Sequence, residues 1–444
     1  MQRAHSVADI KKALSPQPLS PEDLDEFFVE TASARDPVLS RRTELAELIS
    51  GPRNHKVLVY GHGGSGKSTE LIKFAEEHKE KYRAIHLSVA EQQIQHDVQI
   101  ETLLVLVAEA TLRTLKDVGA DTKLSDKSLE QIHAWFTEAL DYSEVEVGAE
   151  SHLAAGVDTN KTWLAKLWGV VAIARTDIRA GAKRLHKTIE KKQHRLSELV
   201  QATDGLLKEA RLALHEHEQR ELLLIIEDLD KASIRDARRL FIENPSPLVS
   251  LTCKAIYTAP LFLFFSAEAA VLSGHFTVLS IPMLKTIERD GRPSEPGRRL
   301  IRDILDRRID VEALVEPIAL DLAIEKTGGV LRHLFDVLIK ASLVASTSKP
   351  PRSQLTTGDV RYGLNRLKAD LLQRVSPFGL PEQFGEITVE QLNDRLRQLS
   401  EPGLRKRANV DPINLVLLQA HALIEYNGEG WHCVHPLVEE HVRS

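Results

Sequence analysis

Cysteine is nearly absent. Cys253 and Cys433 are the only two in 444 residues, and they stand far apart. That excludes a disulfide scaffold and a cysteine zinc site, and it fits a reducing cytosol. Long apolar runs are missing too: the longest near a spanning length, Trp163 to Ala174, is about a dozen residues with Lys166 inside it, too short for a bilayer. The opening MQRAHSVADIKKAL holds no apolar stretch of signal-peptide length, so a cytoplasmic location is expected. Basic charge is not in excess. With 58 Lys and Arg against 64 Asp and Glu, the net charge of −6 draws the whole chain to neither nucleic acid nor an anionic membrane, and any such contact must be local. What is present, 42% hydrophobic and 27% charged residues, is ordinary for a soluble globular protein with room for two or three domains.

Residues 1 to about 50 are polar with two helix-like stretches, and Pro21 followed by Glu22 and Asp23 marks a helix start. KVLVY, residues 56 to 60, reads as a short buried strand, and STELIKFAEEH after it has helical apolar spacing. RAIHLSV (83 to 89), Leu222 to Ile226 and Leu261 to Phe265 read as further strands, with Ile100 to Leu115 an amphipathic helix. Strands alternating with helices predict an α/β fold, a parallel sheet covered on both faces. Lys67 and Asp228 stand further apart than a minimal core would fill, so a segment is inserted. Within it Ile178, Ala182, Leu185, Ile189, Leu196, Leu199 and Leu206 recur at three- and four-residue steps, with Lys192 and Thr203 at the two breaks. This predicts one long helix from about residue 174 to 216, a coiled-coil-like arm of roughly 60 Å that projects and packs on a partner helix. Arg298 to Leu343 reads as helical, SKPPRS as a domain boundary, and ALIEYNGEGWHCVHPLVEEHV as strand, Asn-Gly turn, strand and short helix.

Between strand and helix lies Gly61-His62-Gly63-Gly64-Ser65-Gly66-Lys67-Ser68, the GxxxxGK[ST] pattern, followed by Thr69. A triphosphate needs many inward-facing donors around one point, and only a glycine-rich turn lets successive backbone N–H groups converge. Lys67 would reach the β- and γ-phosphates, and Ser68 would place its hydroxyl on Mg²⁺. The helix start would add its positive end. Downstream, LLLIIEDLDK ends a strand in Glu227, Asp228 and Asp230, hard oxygen ligands suited to Mg²⁺ and to polarising a water. The usual order puts aspartate first for the metal. Here Glu227 holds that place, which predicts slow turnover and leaves the metal and base roles of Glu227 and Asp228 open. No Asn-Lys-x-Asp guanine motif occurs, since NKTW at Asn160 fails at its last position, so ATP and ADP are the expected nucleotides.

These residues resemble the STAND branch of AAA+-like P-loop ATPases, nucleotide-dependent switch proteins, over roughly residues 35 to 444. VLSRRTEL, residues 38 to 45, is similar to that branch's adenine-side motif through Arg41, Glu44 and Leu45, with Ser40 in place of the glycine. Ser266 holds the sensor-like position. TGGVLRHL, residues 327 to 334, resembles the Gly-Gly turn of the lid without its proline, which implies that Arg332 points at the nucleotide. VHPLV, residues 434 to 438, resembles the Met-His-Asp motif of the terminal winged helix, which implies that His435 contacts the β-phosphate of ADP; Pro436 stands where aspartate is common. The resemblance implies a lead-in at 1–50, a P-loop core at 51–285 with the arm at 120–216, a helical lid at 286–350 and a winged-helix-like domain at 351–444. It also implies nucleotide-dependent homo-oligomers and a separately encoded effector or sensor protein, plausible in bacterial antiviral defence or stress response.

Three functional readings stay open: this switch, a DNA-associated ATPase of the initiator or transposition-regulator type, and a nucleotide-binding scaffold without turnover. The apolar INLVLLQAHALI helix of the last domain lacks Lys and Arg, which argues against a grip on DNA. Along the arm, Arg175, Arg179, Lys183, Arg184, Lys187, Lys191, Lys192 and Arg195 form a basic stripe. It is either a solvated face or, with Trp163 and Trp168 at the tip, a docking surface for protein, nucleic acid or anionic lipid. Arg235, Arg238 and Arg239 follow the acidic strand end as arginine-finger candidates.

Overall fold

A computed structural model describes residues 1–31, 35, 39–51, 54–92, 98–121, 124–125, 130, 133–134, 195–266, 268–376, 387–401, 411–426 and 431–443. Five strands, β1 (Lys56–Tyr60), β2 (Tyr82–Ser88), β3 (Glu221–Glu227), β4 (Lys254–Ala259) and β5 (Thr277–Ser280), form one parallel sheet in the order β2-β3-β4-β1-β5. Alternate side chains serve opposite faces, as strand geometry requires. Val57, Val59, Leu223, Ile225 and Ile256 face one core together with Leu45 and Ile49 of α1 (Arg41–Ser50) and Leu71 and Phe74 of α2 (Lys67–Glu77). Leu58, Leu224, Ile226 and Ala255 face the other, covered by α3 (Ile100–Asp117) and α4 (Arg195–Glu218). Both faces are therefore dry, which explains why these strands read as nearly unbroken apolar runs.

Two expectations change. The run Leu261 to Phe265 is not a strand: Pro260 opens a short helical turn, Leu261–Phe264, and the strand is the preceding KAIYTA, buried along its whole length. An apolar run of that length carries no periodicity to separate strand from buried helix. KAIYTA was hidden by its lysine, whose ammonium pairs with Glu221 at 3.0 Å and lies over the Tyr82 ring. The arm also differs over its described part. Residues 195–218 are helical but lie on the core, with Leu199, Leu206, Leu207, Ala210 and Leu214 buried against α3. Thr203, one of the two apparent breaks in the stripe, is itself buried. Residues 135–194, with Trp163, Trp168 and the basic stripe up to Lys192, lie outside the described residues.

The predicted helical stretch from Arg298 resolves into α5 (Glu295–Asp306), the short turn Val311–Leu314, α6 (Pro317–Lys326) and α7 (Leu331–Thr347). Gly328 and Gly329 separate the last two, and Gly329 at φ 81° leaves no room for a Cβ, which would overlap the Leu284 carbonyl. After the SKPPRS break come α8 (Thr357–Arg374), α9 (Val389–Leu399), α10 (Pro412–Gln419), the antiparallel hairpin β6 (Leu423–Tyr426) and β7 (Trp431–Val434), and α11 (Pro436–Arg443). Capping boxes at Thr356/Asp359 and Thr388/Gln391 start α8 and α9, and Asp411 with Pro412 starts α10. The expected INLVLLQAHALI helix stops early, because His421 adopts a left-handed backbone (φ 60°) that turns the chain into β6. The Asn427-Gly428 turn lies outside the described residues. The N-terminal segment is fastened to the stretch after α5: Ala4 N–H donates to Arg308 O at 2.8 Å, and Asp310 N–H to Ala4 O at 3.0 Å. No helix among the described residues is long and apolar enough to cross a membrane.

Candidate functional site

The glycine loop leaves the C-terminal end of β1, the edge at which open parallel sheets place ligands, and passes directly into α2. Gly66 stands at φ 90° just before the helix, a left-handed conformation that glycine adopts freely. Gly63, Gly64, Gly66, Lys67, Ser68 and Thr69 line a cavity of about 1000 Å³. The other members turn inward. Lys67 Nζ donates to Gly61 O at 2.8 Å and His62 O at 2.9 Å, and it pairs with Asp230 at 2.8 Å. Ser65 is buried, and its carbonyl accepts from Arg35.

The three acidic residues separate by their partners. Asp230 is engaged by Lys67. Asp228, at φ 68°, accepts from Ser88 Oγ and pairs with Lys231; burial would raise its pKa, but the hydrogen bonds from Lys231 and Ser88 outweigh burial and hold it below the ordinary aspartate value. Glu227 is buried at 4% exposure, and only its Oε2 is engaged, by His86 Nε2 at 2.5 Å. Its Oε1 is buried without a hydrogen-bond partner. Burial lowers the His86 pKa, but the hydrogen bond and charge of Glu227 more than reverse this, so the imidazole is raised above its usual value. Ser68, Glu227 and Asp228 all line the cavity and are the hydroxyl and carboxylate donors that would suit a hard divalent cation such as Mg²⁺. A bound Mg²⁺ would offset the charge of the phosphate oxygens.

From the lid, Arg332 stands over the loop. Its Nη1 lies 3.7 Å from where a Cβ on Gly63 would stand, and it lines the cavity. His435 does not. Its Nδ1 accepts from Leu437 N–H at 3.3 Å and its Nε2 meets His333 Nδ1 at 3.2 Å, one residue back from the loop. The histidine that reaches the loop is His421, with ring atoms 3.2 Å from the same Gly63 position. His62 completes the junction, its Nε2 accepting from the Glu425 N–H of β6 at 2.8 Å. His62, His333 and His435 are buried, and His421 is half-buried with its Nδ1 enclosed. Burial foremost, then neighbouring charge, holds His62 and His333 well below the usual histidine pKa and brings His421 and His435 to about 3. They are neutral at pH 7.

Comparison with known proteins identifies the fold's company only distantly. No protein-family model matches the chain, and no curated protein matches it in sequence. Among solved structures, the Walker-type ATPase of Pyrococcus abyssi is similar at 13% identity and a TM-score of 0.46, covering 97% of this chain and 100% of that one. Cdc6p of Pyrobaculum aerophilum is similar at 12% identity and a TM-score of 0.37, covering 84% of this chain and 77% of that one. The site's chemistry is therefore read from its own residues.

Other expected residues lie elsewhere. Arg41 pairs with Glu44 at 2.7 Å in the first turn of α1, and the described residues 39–45 are not among the cavity walls. Ser266 follows the Leu261–Phe264 turn rather than a strand, its Oγ donating to Leu263 O at 2.7 Å. Arg238 pairs with Glu268, Arg239 Nη1 donates to Gln99 Oε1 at 2.6 Å, and Arg235 is exposed. Sequence reading missed Arg35, His86, Arg308 and His421. Of these only His86 gave a signal, an ionisable residue in the middle of a strand, with its partner Glu227 two positions off across the β2/β3 register.

Proposed function

We propose that this chain is an ATP-binding, slowly hydrolysing molecular switch, in which ADP held between glycine loop, lid and winged-helix-like domain keeps the molecule closed and ATP opens it for assembly with a separately encoded effector. The observation that carries this reading is the His62–Glu425 hydrogen bond. It ties the loop expected to hold the phosphates to the C-terminal hairpin, so anything that moves the loop moves the hairpin. Arg332 and His421 meet the same loop from lid and terminal domain, so three parts of the chain converge where a γ-phosphate would be sensed. Within the site, Lys67 and the loop N–H groups bind and orient the phosphates, and Glu227 in the cavity wall is the carboxylate that takes the proton of the attacking water. Sensing through the histidine junction follows from its neutrality: His62 can accept from the hairpin only while unprotonated.

The DNA-associated reading has less behind it. Leu415, Val416, Leu417 and Leu418 of α10 are buried, so this helix presents an apolar face to the core rather than cations to phosphates.

Replacing His62 with alanine leaves the Glu425 N–H buried without an acceptor, at a cost of about 1–3 kcal/mol to docking of the hairpin. Hydrogen exchange of residues 423–426 and 431–434 is expected to accelerate roughly tenfold or more, with bound ADP released faster. Unchanged protection there would remove the coupling. The nucleotide that copurifies, with the particle mass in ADP and in ATP, tests the switch as a whole: ADP on a closed monomer and a larger assembly in ATP are expected.

A further inference from the structure

We propose that the half of the cavity away from the glycine loop is a nucleobase site whose outer wall is the N-terminal strap Pro16–Pro21, closed by the lid through Arg308 and Phe335. This rests on the nucleotide reading and adds to it where the base lies and what holds it.

The cavity is too large for phosphates alone. Its volume of about 1000 Å³ is at the upper end for a whole small-molecule site, and the loop accounts for one end of it. Moving along α2 from Thr69 by one turn, about 5 Å, the wall becomes Ile72. Opposite stand Pro16, Pro18 and Leu19 from the strap and Phe335 from α7. Leu19 and Ile72 belong to one apolar cluster with Leu24 and Phe27, so strap and helix are already in register. These are apolar walls set around a slot, the surroundings a planar heteroaromatic ring prefers. Much of the polar surface that the strap offers is backbone. Pro16, Pro18 and Pro21 lack N–H groups and Gln17 N–H donates to Ser15 Oγ at 3.3 Å, so the strap offers mainly carbonyl acceptors, suited to the exocyclic amine of a base.

A second observation points to a ligand independently. Arg308, 7% exposed and in the cavity wall, keeps its Nε buried without a partner. Its Nη1 donates to Phe27 O at 3.2 Å and Ile304 O at 2.8 Å, and its guanidinium stands 5.6 Å from the Phe335 ring centre. A buried guanidinium nitrogen left unsatisfied is costly, and this one belongs to a residue of the cavity wall. The same arginine's carbonyl accepts from Ala4 N–H, so the start of the N-terminal segment is fastened beside this residue of the wall. The described part of the 38–45 segment, the expected adenine side, has no place in this wall.

The test compares ATP with inorganic tripolyphosphate by calorimetry on the full chain. The unsubstituted protein is expected to bind ATP at least about 30-fold more tightly than tripolyphosphate, the worth of burying a base. Ile72→Glu, which is helix-compatible and only partly buried, and Ile72→Trp, which fills the slot, should each abolish most of that advantage while tripolyphosphate affinity stays within about threefold. Photolabelling the unsubstituted protein with 8-azido-ATP should mark the peptide containing residues 16–21. Equal affinities for ATP and tripolyphosphate, variants that keep the wild-type ratio, or label on residues 38–45 instead would overturn the base site while leaving the phosphate site standing. If neither probe binds, the nucleotide reading itself fails.

Discussion

Glu227→Gln is expected to lower the turnover of ATP roughly 100-fold or more while ATP affinity stays within about threefold. Of the three carboxylates at the end of β3, Asp230 is held by Lys67 and Asp228 by Ser88 and Lys231; Glu227, also in the cavity wall, is held by His86 through one oxygen and keeps the other buried and unpartnered. An amide keeps the shape and the contact with His86 but cannot accept a proton from an attacking water. A general base contributes about 10²- to 10⁴-fold, which sets the size of the loss. Asp228→Asn should cost far less, about tenfold, because that carboxylate acts by holding Ser88 and Lys231 in place. Single-turnover hydrolysis with a parallel binding titration measures both. A Glu227→Gln protein with a third or more of wild-type turnover would return the base role to Asp228, or point to a scaffold without turnover.

Acid is expected to undo the junction between the glycine loop and the C-terminal hairpin. Burial foremost, with neighbouring charge, brings His421 and His435 to about 3, so their folded pKa lies below the ordinary histidine value of 6.5. The groups around them add no protonation-favouring charge except Asp230: His421 faces Arg374, Arg332 and Lys67, and His435 faces His421 and His333. Because the open or unfolded chain takes up these protons first, stability is full above about pH 6.5 and is lost as pH falls from there towards pH 3. With two such groups, each worth about 1.4 kcal/mol per pH unit, going from pH 6.5 to 5 removes on the order of 4 kcal/mol. His62 and His333, also held down, add to this. Chemical denaturation between pH 5 and 8 should show the slope. A His421→Asn, His435→Asn double variant should flatten it, and a wild-type protein equally stable at pH 5 and 7 would contradict the neutral cluster.

Legibility followed locality. The strand KVLVY, the glycine loop after it and the acidic end of β3 were readable because each is a contiguous pattern whose meaning is fixed by neighbours in the chain. The helices after position 355 also start on local caps, at Thr356, Thr388 and Asp411, a signal that the sequence reading did not use. The strand β4 was misplaced because hydrophobicity alone ranks PLFLFF above KAIYTA. Yet Lys254 and Thr258 are buried in the sheet, and the phenylalanines pack as a helical turn, Phe264 stacking on Tyr60 at 3.9 Å. The site's third dimension was hidden altogether. His421 reaches Gly63, and Arg308 reaches Phe27, across hundreds of residues, and neither sits in a motif. His435 was expected at the phosphate on a short local pattern, whereas a left-handed turn at position 421 brings a different histidine against the glycine loop at Gly63.

The most direct test is calorimetric titration of the folded chain with Mg-ATP and with ADP, run beside Lys67→Ala. Lys67 is buried with its ammonium on the Gly61 and His62 carbonyls and on Asp230, positioned to transfer to phosphate oxygens when they arrive. Saturable binding of both nucleotides by the wild-type chain is predicted, with loss of roughly 100-fold or more in the variant, the worth of a buried charge-assisted contact or two. A wild-type chain with no affinity for either nucleotide, or a variant that binds as well as wild type, would contradict the account.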